Sequence, residues 1–107
     1  LRVSLAGTTL VDTDNTVIVF ETALPPRLYV DPALVRTDLL TPTDTRTYCN
    51  YKGWAEYWAA PDGAGSLIPD IAWSYPDTLP ESAAIRGFLS FDATRVEMFA
   101  ELPGSAT

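Results

Sequence analysis

The sequence is divided into short runs of β-branched and aromatic residues, and turn-forming residues separate these runs about every eight to twelve positions. Runs of this length are typical of strands and leave no room for long helices. The run Thr16–Glu21 is the most apolar and predicts a strand buried on both faces. Asp70–Tyr75 predicts a strand whose side chains alternate between two faces. The chain is therefore expected to be mainly β.

The rest of the chain follows the same pattern. Because Asp12 and Asp14 stand next to Asn15, we expect a turn there rather than a metal site. The further strands that we expect are Arg2–Ala6, Thr9–Asp12, Arg36–Leu40, Arg46–Tyr51 and Trp54–Ala59, with a loop at Thr41–Thr45 and a final hairpin of Phe88–Asp92 and Arg95–Glu101.

Helix signals are few. Pro80–Arg86 predicts one short helix, because a proline and Glu81 stand at its start and Gly87 follows its end. Asp31–Val35 predicts a single helical turn with proline at its first position. We therefore expect one compact domain over residues 1–102, with about eight short strands in a β-sandwich or open barrel and one short helix. Residues 103–107 are predicted to form a flexible C-terminal tail.

Charge and cysteine content limit the classes of function. Seven basic and fourteen acidic residues give a net charge of −7, which repels nucleic acid and anionic membrane surfaces, so neither is expected as a partner. Cys49 is the only cysteine and the chain has no histidine, which excludes an internal disulfide and a cysteine–histidine metal site. We therefore expect no metal and no cofactor, and a cytoplasmic location. A homodimer and a larger parent chain both stay open.

Four stretches of the sequence resemble the bacterial domain of unknown function 427 family. The first is Thr47–Gly53, followed by Ala55, Tyr57 and Trp58, and the others are Glu21–Tyr29, Asp70–Pro76 and Pro80–Phe91. The sequence departs from the family pattern at Asn50, where proline is usual, and at Asp92, where an aromatic residue is usual. The resemblance implies a single tent-like β domain and assigns no activity. Members of similar folds bind zinc through paired cysteines, which this chain lacks.

The aromatic residues around Lys52 are the best candidates for a binding site. An indole or phenol can stack on a flat ligand and still offer a hydrogen bond, and Lys52 is the only lysine in the chain. We expect a cavity lined by Trp54, Tyr57, Trp73 and Tyr75, with Tyr51 beside it and with Lys52 and Glu21 as polar anchors. Strand alternation separates Trp54 from Tyr57, so both line the cavity only if the strand bends. Close core packing of the same rings is the alternative.

Three side chains could also carry chemistry, although no motif identifies a catalytic residue. Cys49 is a candidate reactive thiol, but only lysine or arginine is available to stabilise a thiolate, and a buried structural role is the alternative. Lys52 could form a Schiff base if burial lowered its pKa. Glu21 could act as a general base or pair with Arg27 or Arg46.

Three hypotheses follow. The leading one is a domain that binds a small molecule in an aromatic cavity. A protein-interaction module would instead show an exposed apolar patch or a free sheet edge. A weak hydrolase or transferase would need Glu21, Cys49 or Lys52 within hydrogen-bonding reach of each other in a cleft.

Overall fold

A computed structural model describes residues 1–21 and 24–101 of the protein. It contains nine strands in three antiparallel sheets and three short 3-10 helices among these residues. Strands account for 49% of the chain and helices for 12%, which confirms the prediction of a mainly β domain with little helix. The three sheets do not close into a barrel within the described ranges. The predicted C-terminal tail at residues 103–107 lies outside those ranges.

The first sheet is built on a tight hairpin. Strands β1 (Arg2–Leu5) and β2 (Thr8–Asp12) pair with each other, and Ala6 and Gly7 between them both have positive φ, of 50° and 79°. Two successive positive φ angles match the turn type whose twist fits a two-residue hairpin. Strand β9 (Glu97–Phe99) pairs with the other edge of β1, which gives the order β2-β1-β9.

The second sheet is a two-stranded ribbon of β3 (Val17–Val19) and β4 (Arg27–Tyr29). The strand expected over Thr16–Glu21 is therefore shorter than predicted, and its three residues are only half-buried. Burial on both faces is wrong because β3 has no further strand beside it, and Phe20 next to it is 73% exposed. The ribbon is joined to the rest of the protein by a pair of main-chain hydrogen bonds between Val30 and Leu89.

The third sheet has four strands in the order β5-β6-β7-β8. Strand β5 (Thr41–Cys49) includes the segment predicted as the loop Thr41–Thr45, because an irregularity between Pro42 and Arg46 lets pairing with β6 continue past the proline. Strand β6 (Gly53–Pro61) occupies the centre with β7 (Leu67–Ser74), and β8 (Leu89–Phe91) forms the other edge.

The predicted final hairpin is wrong. Strand β8 pairs with β7 in the third sheet, and β9 pairs with β1 in the first. Asp92 and Thr94 form a local turn between them that directs the chain from one sheet to the other. Adjacent strands in sequence pair often but not always, and here each strand buries its apolar side against a different neighbour.

The three helices all have the tighter 3-10 geometry. The helical turn predicted at Asp31–Val35 is present as Pro32–Leu34, and the Asp31 carboxylate caps it. The expected strand Arg36–Leu40 is wrong, since Thr37–Leu39 is a second 3-10 helix. The third helix, Pro80–Ile85, occupies the predicted Pro80–Arg86 segment, with a kink at Ser82.

Two hydrophobic clusters form the core. The larger one fills the space between the first and third sheets and contains buried side chains such as Val3, Val11 and Ile71. The smaller one contains Tyr29 and Tyr75, with Tyr57 and Trp73 packed against it, and it supports the cavity described below. No helix among the described residues has the length and apolarity that crossing a bilayer requires.

Candidate functional site

A cavity of about 350 Å³, here called the central cavity, lies beside the smaller hydrophobic cluster. This volume falls near the lower end of the range found for small-molecule sites. Its lining combines aromatic rings with charged groups from the ribbon and from the third sheet. The lining residues are Glu21, Leu24, Arg27, Tyr29, Cys49, Lys52, Tyr57, Asp70, Trp73, Tyr75 and Asp92.

The aromatic side chains of the central cavity are fixed by contacts with one another. The ring centroids of Tyr57 and Trp73 lie 6.4 Å apart at an interplanar angle of 41°. The indole Nε1 of Trp73 donates a hydrogen bond to the Tyr29 hydroxyl at 3.3 Å, and the Tyr57 hydroxyl lies 2.8 Å from that of Thr47. Burial raises the pKa of Tyr29 and of Tyr75, so both phenols stay neutral well above physiological pH.

Lys52 enters the central cavity from the loop that joins β5 to β6. Its backbone N–H donates to the Cys49 carbonyl, and its own carbonyl accepts from the Leu79 N–H, each at 3.3 Å. The residue is only 5% exposed, and its ammonium group forms an ion pair with Glu21 and lies 5.9 Å from the Tyr75 ring centroid. Burial lowers the pKa of Lys52 from its ordinary value, and the Glu21 carboxylate opposes this effect. The expected pairing of Glu21 with Arg27 or Arg46 is therefore wrong.

Arg27 lies on the ribbon with its guanidinium against the third sheet. Its Cζ atom is 5.8 Å from the centroid of the Trp73 ring. Arg27 has neither an ion pair nor a side-chain hydrogen bond with any other described residue. The nearby Asp92 accepts two hydrogen bonds from Thr94, which lower the pKa of its carboxyl group, and Arg95 lies 3.6 Å from it.

Asp70 occupies a strained backbone position in β7. Its φ of 56° lies in the left-handed region, which is uncommon for a residue other than glycine and is most accessible to asparagine and aspartate. The hydroxyl groups of Thr43 and Thr45 on β5 each donate to one oxygen of its carboxylate at 2.6 Å. These two bonds hold the carboxylate at the edge of the central cavity and offset the cost of the strain.

The structure brings six of the predicted site residues together in the lining of the central cavity. They are Glu21, Cys49, Lys52, Tyr57, Trp73 and Tyr75. Trp54 and Tyr51 do not line it. Trp54 is 60% exposed and packs edge-to-face against Tyr48 at 5.2 Å between ring centroids, because β6 alternates and directs it away from Tyr57.

Tyr51 lies instead beside a second hollow of about 560 Å³, here called the outer groove. Phe20 and Tyr51 border it, and both are largely exposed. The outer groove shares Glu21, Leu24 and Lys52 with the central cavity. The Lys52–Glu21 ion pair therefore lies between the central cavity, with its polar and aromatic lining, and the outer groove, with its exposed Phe20 and Tyr51.

Sequence reasoning missed Arg27, Tyr29 and Asp92 as members of the site and left the role of Asp70 open. A signal for the first two existed, since Arg27 and Tyr29 are two residues apart in an extended segment and so share a face. Asp92 offered none, because its place depends on how the chain leaves β8. No group of three or more metal-ligating side chains occurs in the part of the chain that the structure describes.

A larger open hollow of about 610 Å³ lies near the first sheet and is lined by Leu1, Arg2, Asp12 and Phe99 among others. Its Arg2–Asp12 ion pair is well exposed, with both side chains more than half accessible to solvent. Exposed charges of this kind are screened by water and provide little binding energy. The central cavity is therefore the better candidate site.

Comparison with known families gives a single finding. A family model described as a domain of unknown function, DUF427, matches residues 1–101, which confirms the resemblance seen in the sequence. No curated protein matches the chain.

Proposed function

The chain belongs to the domain of unknown function 427 family, and from this premise we propose that it binds a small organic molecule in its central cavity. The observation that carries the proposal is the combination of a cavity of about 350 Å³, aromatic rings, and charged groups, of which Lys52 is buried and the others are half-buried. Binding sites for small molecules are typically concave and provided with a few well-placed polar groups, and the many charged groups in this lining favour a polar ligand.

Tyr57 and Trp73 supply the apolar contact in this proposal. Their rings are tilted toward each other and are fixed by hydrogen bonds to neighbouring hydroxyl groups. Rings held in this way lose little conformational freedom when a ligand packs against them, which favours affinity. Lys52 and Glu21 form the polar boundary on the side of the outer groove.

A screen of metabolites by thermal shift and by tryptophan fluorescence tests the proposal, and Trp73→Phe and Trp54→Phe form a matched pair of variants. We expect a ligand to raise Tm and change the fluorescence of the natural protein. Trp73→Phe should weaken its binding by up to about tenfold, because it reduces the aromatic contact area and removes the hydrogen bond from Nε1 to Tyr29. Trp54→Phe should leave binding unchanged, because Trp54 lies outside the cavity.

Equal effects of the two variants, or the absence of any stabilising compound, would count against the proposal. The second candidate function, a protein-interaction module, is favoured by the apolar side chains around the outer groove, where Phe20 is 73% and Tyr51 68% exposed. A mass by light scattering above that of one chain, together with a metabolite screen that finds no ligand, would support this candidate instead.

The enzymatic alternative has less support. Lys52 and Glu21 are bonded to each other, and no hydrogen bond joins either to the Cys49 thiol within residues 1–21 and 24–101. A nucleophile needs a base or an electrostatic partner within reach to be activated. The geometry of these three groups favours holding a molecule over reacting with it.

A further inference from the structure

We propose that the ligand of the central cavity is a planar organic carboxylate, with its carboxylate bound by Arg27 and its ring packed against Trp73. This inference rests on the proposed function and adds the chemical class of the ligand. It differs from the expectation drawn from the sequence, in which Lys52 was the cationic anchor.

Of the two cations that line the central cavity, Lys52 forms an ion pair and Arg27 forms none among the described residues. Lys52 is neutralised by Glu21, and Asp92 has its own cation in Arg95. Arg27 has no carboxylate within ion-pair distance among the described residues, although its charge contributes at longer range to the lowered pKa of Asp92. Arg27 is half-buried, and partial burial makes its attraction to an anion stronger than that of a fully exposed guanidinium.

The position of Arg27 leaves its donors available. A guanidinium that packs on an aromatic ring uses its flat face, and its N–H groups point outward in the plane. Arg27 lies 5.8 Å from the Trp73 ring centroid, and the same ring lies 6.4 Å from Tyr57. A carboxylate can then accept two parallel hydrogen bonds from the guanidinium while its attached ring contacts the indole.

Charge favours a monoanionic compound over a phosphate ester. One uncommitted arginine offers one positive charge, whereas a phosphate monoester carries close to two negative charges at neutral pH. The Asp70 carboxylate also lines the cavity and repels anions, and this repulsion is about twice as large for a dianion as for a monoanion. Asp70 can instead accept a hydrogen bond from a ligand hydroxyl, since an ionised carboxylate accepts about four hydrogen bonds and two are in use.

The test is calorimetric binding of three probes to the full chain: 4-hydroxybenzoate, its neutral amide 4-hydroxybenzamide, and the saturated cyclohexanecarboxylate. We expect 4-hydroxybenzoate to bind best, since only it offers both the charge and the flat ring. Arg27→Gln should weaken its binding about tenfold or more, the scale of a charge-assisted hydrogen-bonded pair. Arg27→Lys should retain part of the affinity, because lysine keeps the positive charge but cannot donate two parallel hydrogen bonds to the carboxylate.

Arg36→Gln is the matched control. Arg36 is exposed, pairs with Asp38, and is not part of the cavity lining, so the variant removes the same charge elsewhere. Near-equal binding of the acid and the amide, or equal binding by Arg27→Gln and Arg36→Gln, would overturn the inference. If Trp73→Phe still weakened the binding of other ligands in that case, and Trp54→Phe did not, the proposed function would stand without the carboxylate. Failure of all three probes to bind the natural protein would overturn the inference directly.

Discussion

Lys52 and Glu21 carry opposite charges into a region where each would be unfavourable alone. The Lys52 side chain is 6% exposed and that of Glu21 is 30% exposed, so the lysine depends more on the pair than the glutamate does. Removing one member of a buried ion pair leaves an uncompensated charge, whereas replacing both members with apolar groups of similar size is often nearly neutral.

We therefore predict unequal costs for the two single substitutions. Glu21→Met should lower the free energy of unfolding by about 2–3 kcal/mol, because it leaves Lys52 charged and buried. Lys52→Met should cost only about 1 kcal/mol, since water reaches the remaining Glu21 carboxylate. Urea unfolding of both variants and of the double variant measures these values. The double variant should recover most of the loss, and strictly additive costs would contradict the ion pair.

The sequence predicts which side chains of one strand share a face, but it does not predict contacts between distant segments. Alternation along β6 separates Trp54 from Tyr57, and this rule could be read from the sequence without a structure. Contacts between distant segments could not be read in this way. Glu21 meets Lys52 only because β3 and the β5–β6 loop are brought together by the packing of the ribbon on the third sheet.

The loop between β5 and β6 is the element that places Lys52. It runs from Cys49 to Gly53, which pair with each other across the hairpin. Gly53 has a φ of 102°, and a Cβ atom added there would lie 3.1 Å from the Asp77 carbonyl oxygen. Both the backbone angle and the close approach require glycine at this position.

Gly53→Ala should destabilise the protein by about 2–3 kcal/mol, through backbone strain and displacement of the segment at Asp77. Gly65→Ala is the control, because Gly65 has a similar φ of 92° but open space around its Cβ position. Its cost should be about 1 kcal/mol, from strain alone. Thermal unfolding of the two variants measures the difference, and equal losses would show that the contact with Asp77 is unimportant.

The positions of the strands were predicted better than the pairing between strands. Most strands occur near their expected positions, because β-branched runs and turn residues act locally. The pairing of β8 with β7 and of β9 with β1 depends on which apolar faces meet in the folded core. Similarly, Arg36–Leu40 has the composition of a strand, but it folds as a 3-10 helix beside the first sheet.

Two buried tyrosines link the stability of the whole molecule to pH. Burial raises the pKa of Tyr29 and of Tyr75, so the folded protein keeps phenolic protons that the unfolded chain loses above about pH 10. Unfolding therefore releases protons in that range, and the stability present at lower pH decreases as pH rises. Lys52 acts in the opposite direction just below its ordinary pKa of 10.5, since its pKa is lowered in the folded state.

We predict that Tyr75→Phe flattens the alkaline loss of stability. The free energy of unfolding should fall more steeply between pH 9.5 and 11 in the natural protein than in the variant, by about 1.4 kcal/mol for each pH unit per proton released. Urea titrations at several pH values measure both slopes, and the Lys52 contribution is common to both proteins. A constant offset between the two curves would mean that only packing was lost.

The pairing of β1 with β9 has a consequence for biosynthesis. The two strands come from opposite ends of the described chain, so the sheet β2-β1-β9 cannot be completed until Phe99 has emerged from the ribosome. Until then the hairpin of β1 and β2 has one edge of β1 unpaired. The segment that separates β1 from β9 in the sequence spans almost the entire domain. Because non-local contacts form slowly and a domain generally folds as a unit, we expect the chain to gain most of its order only after β9 has been made.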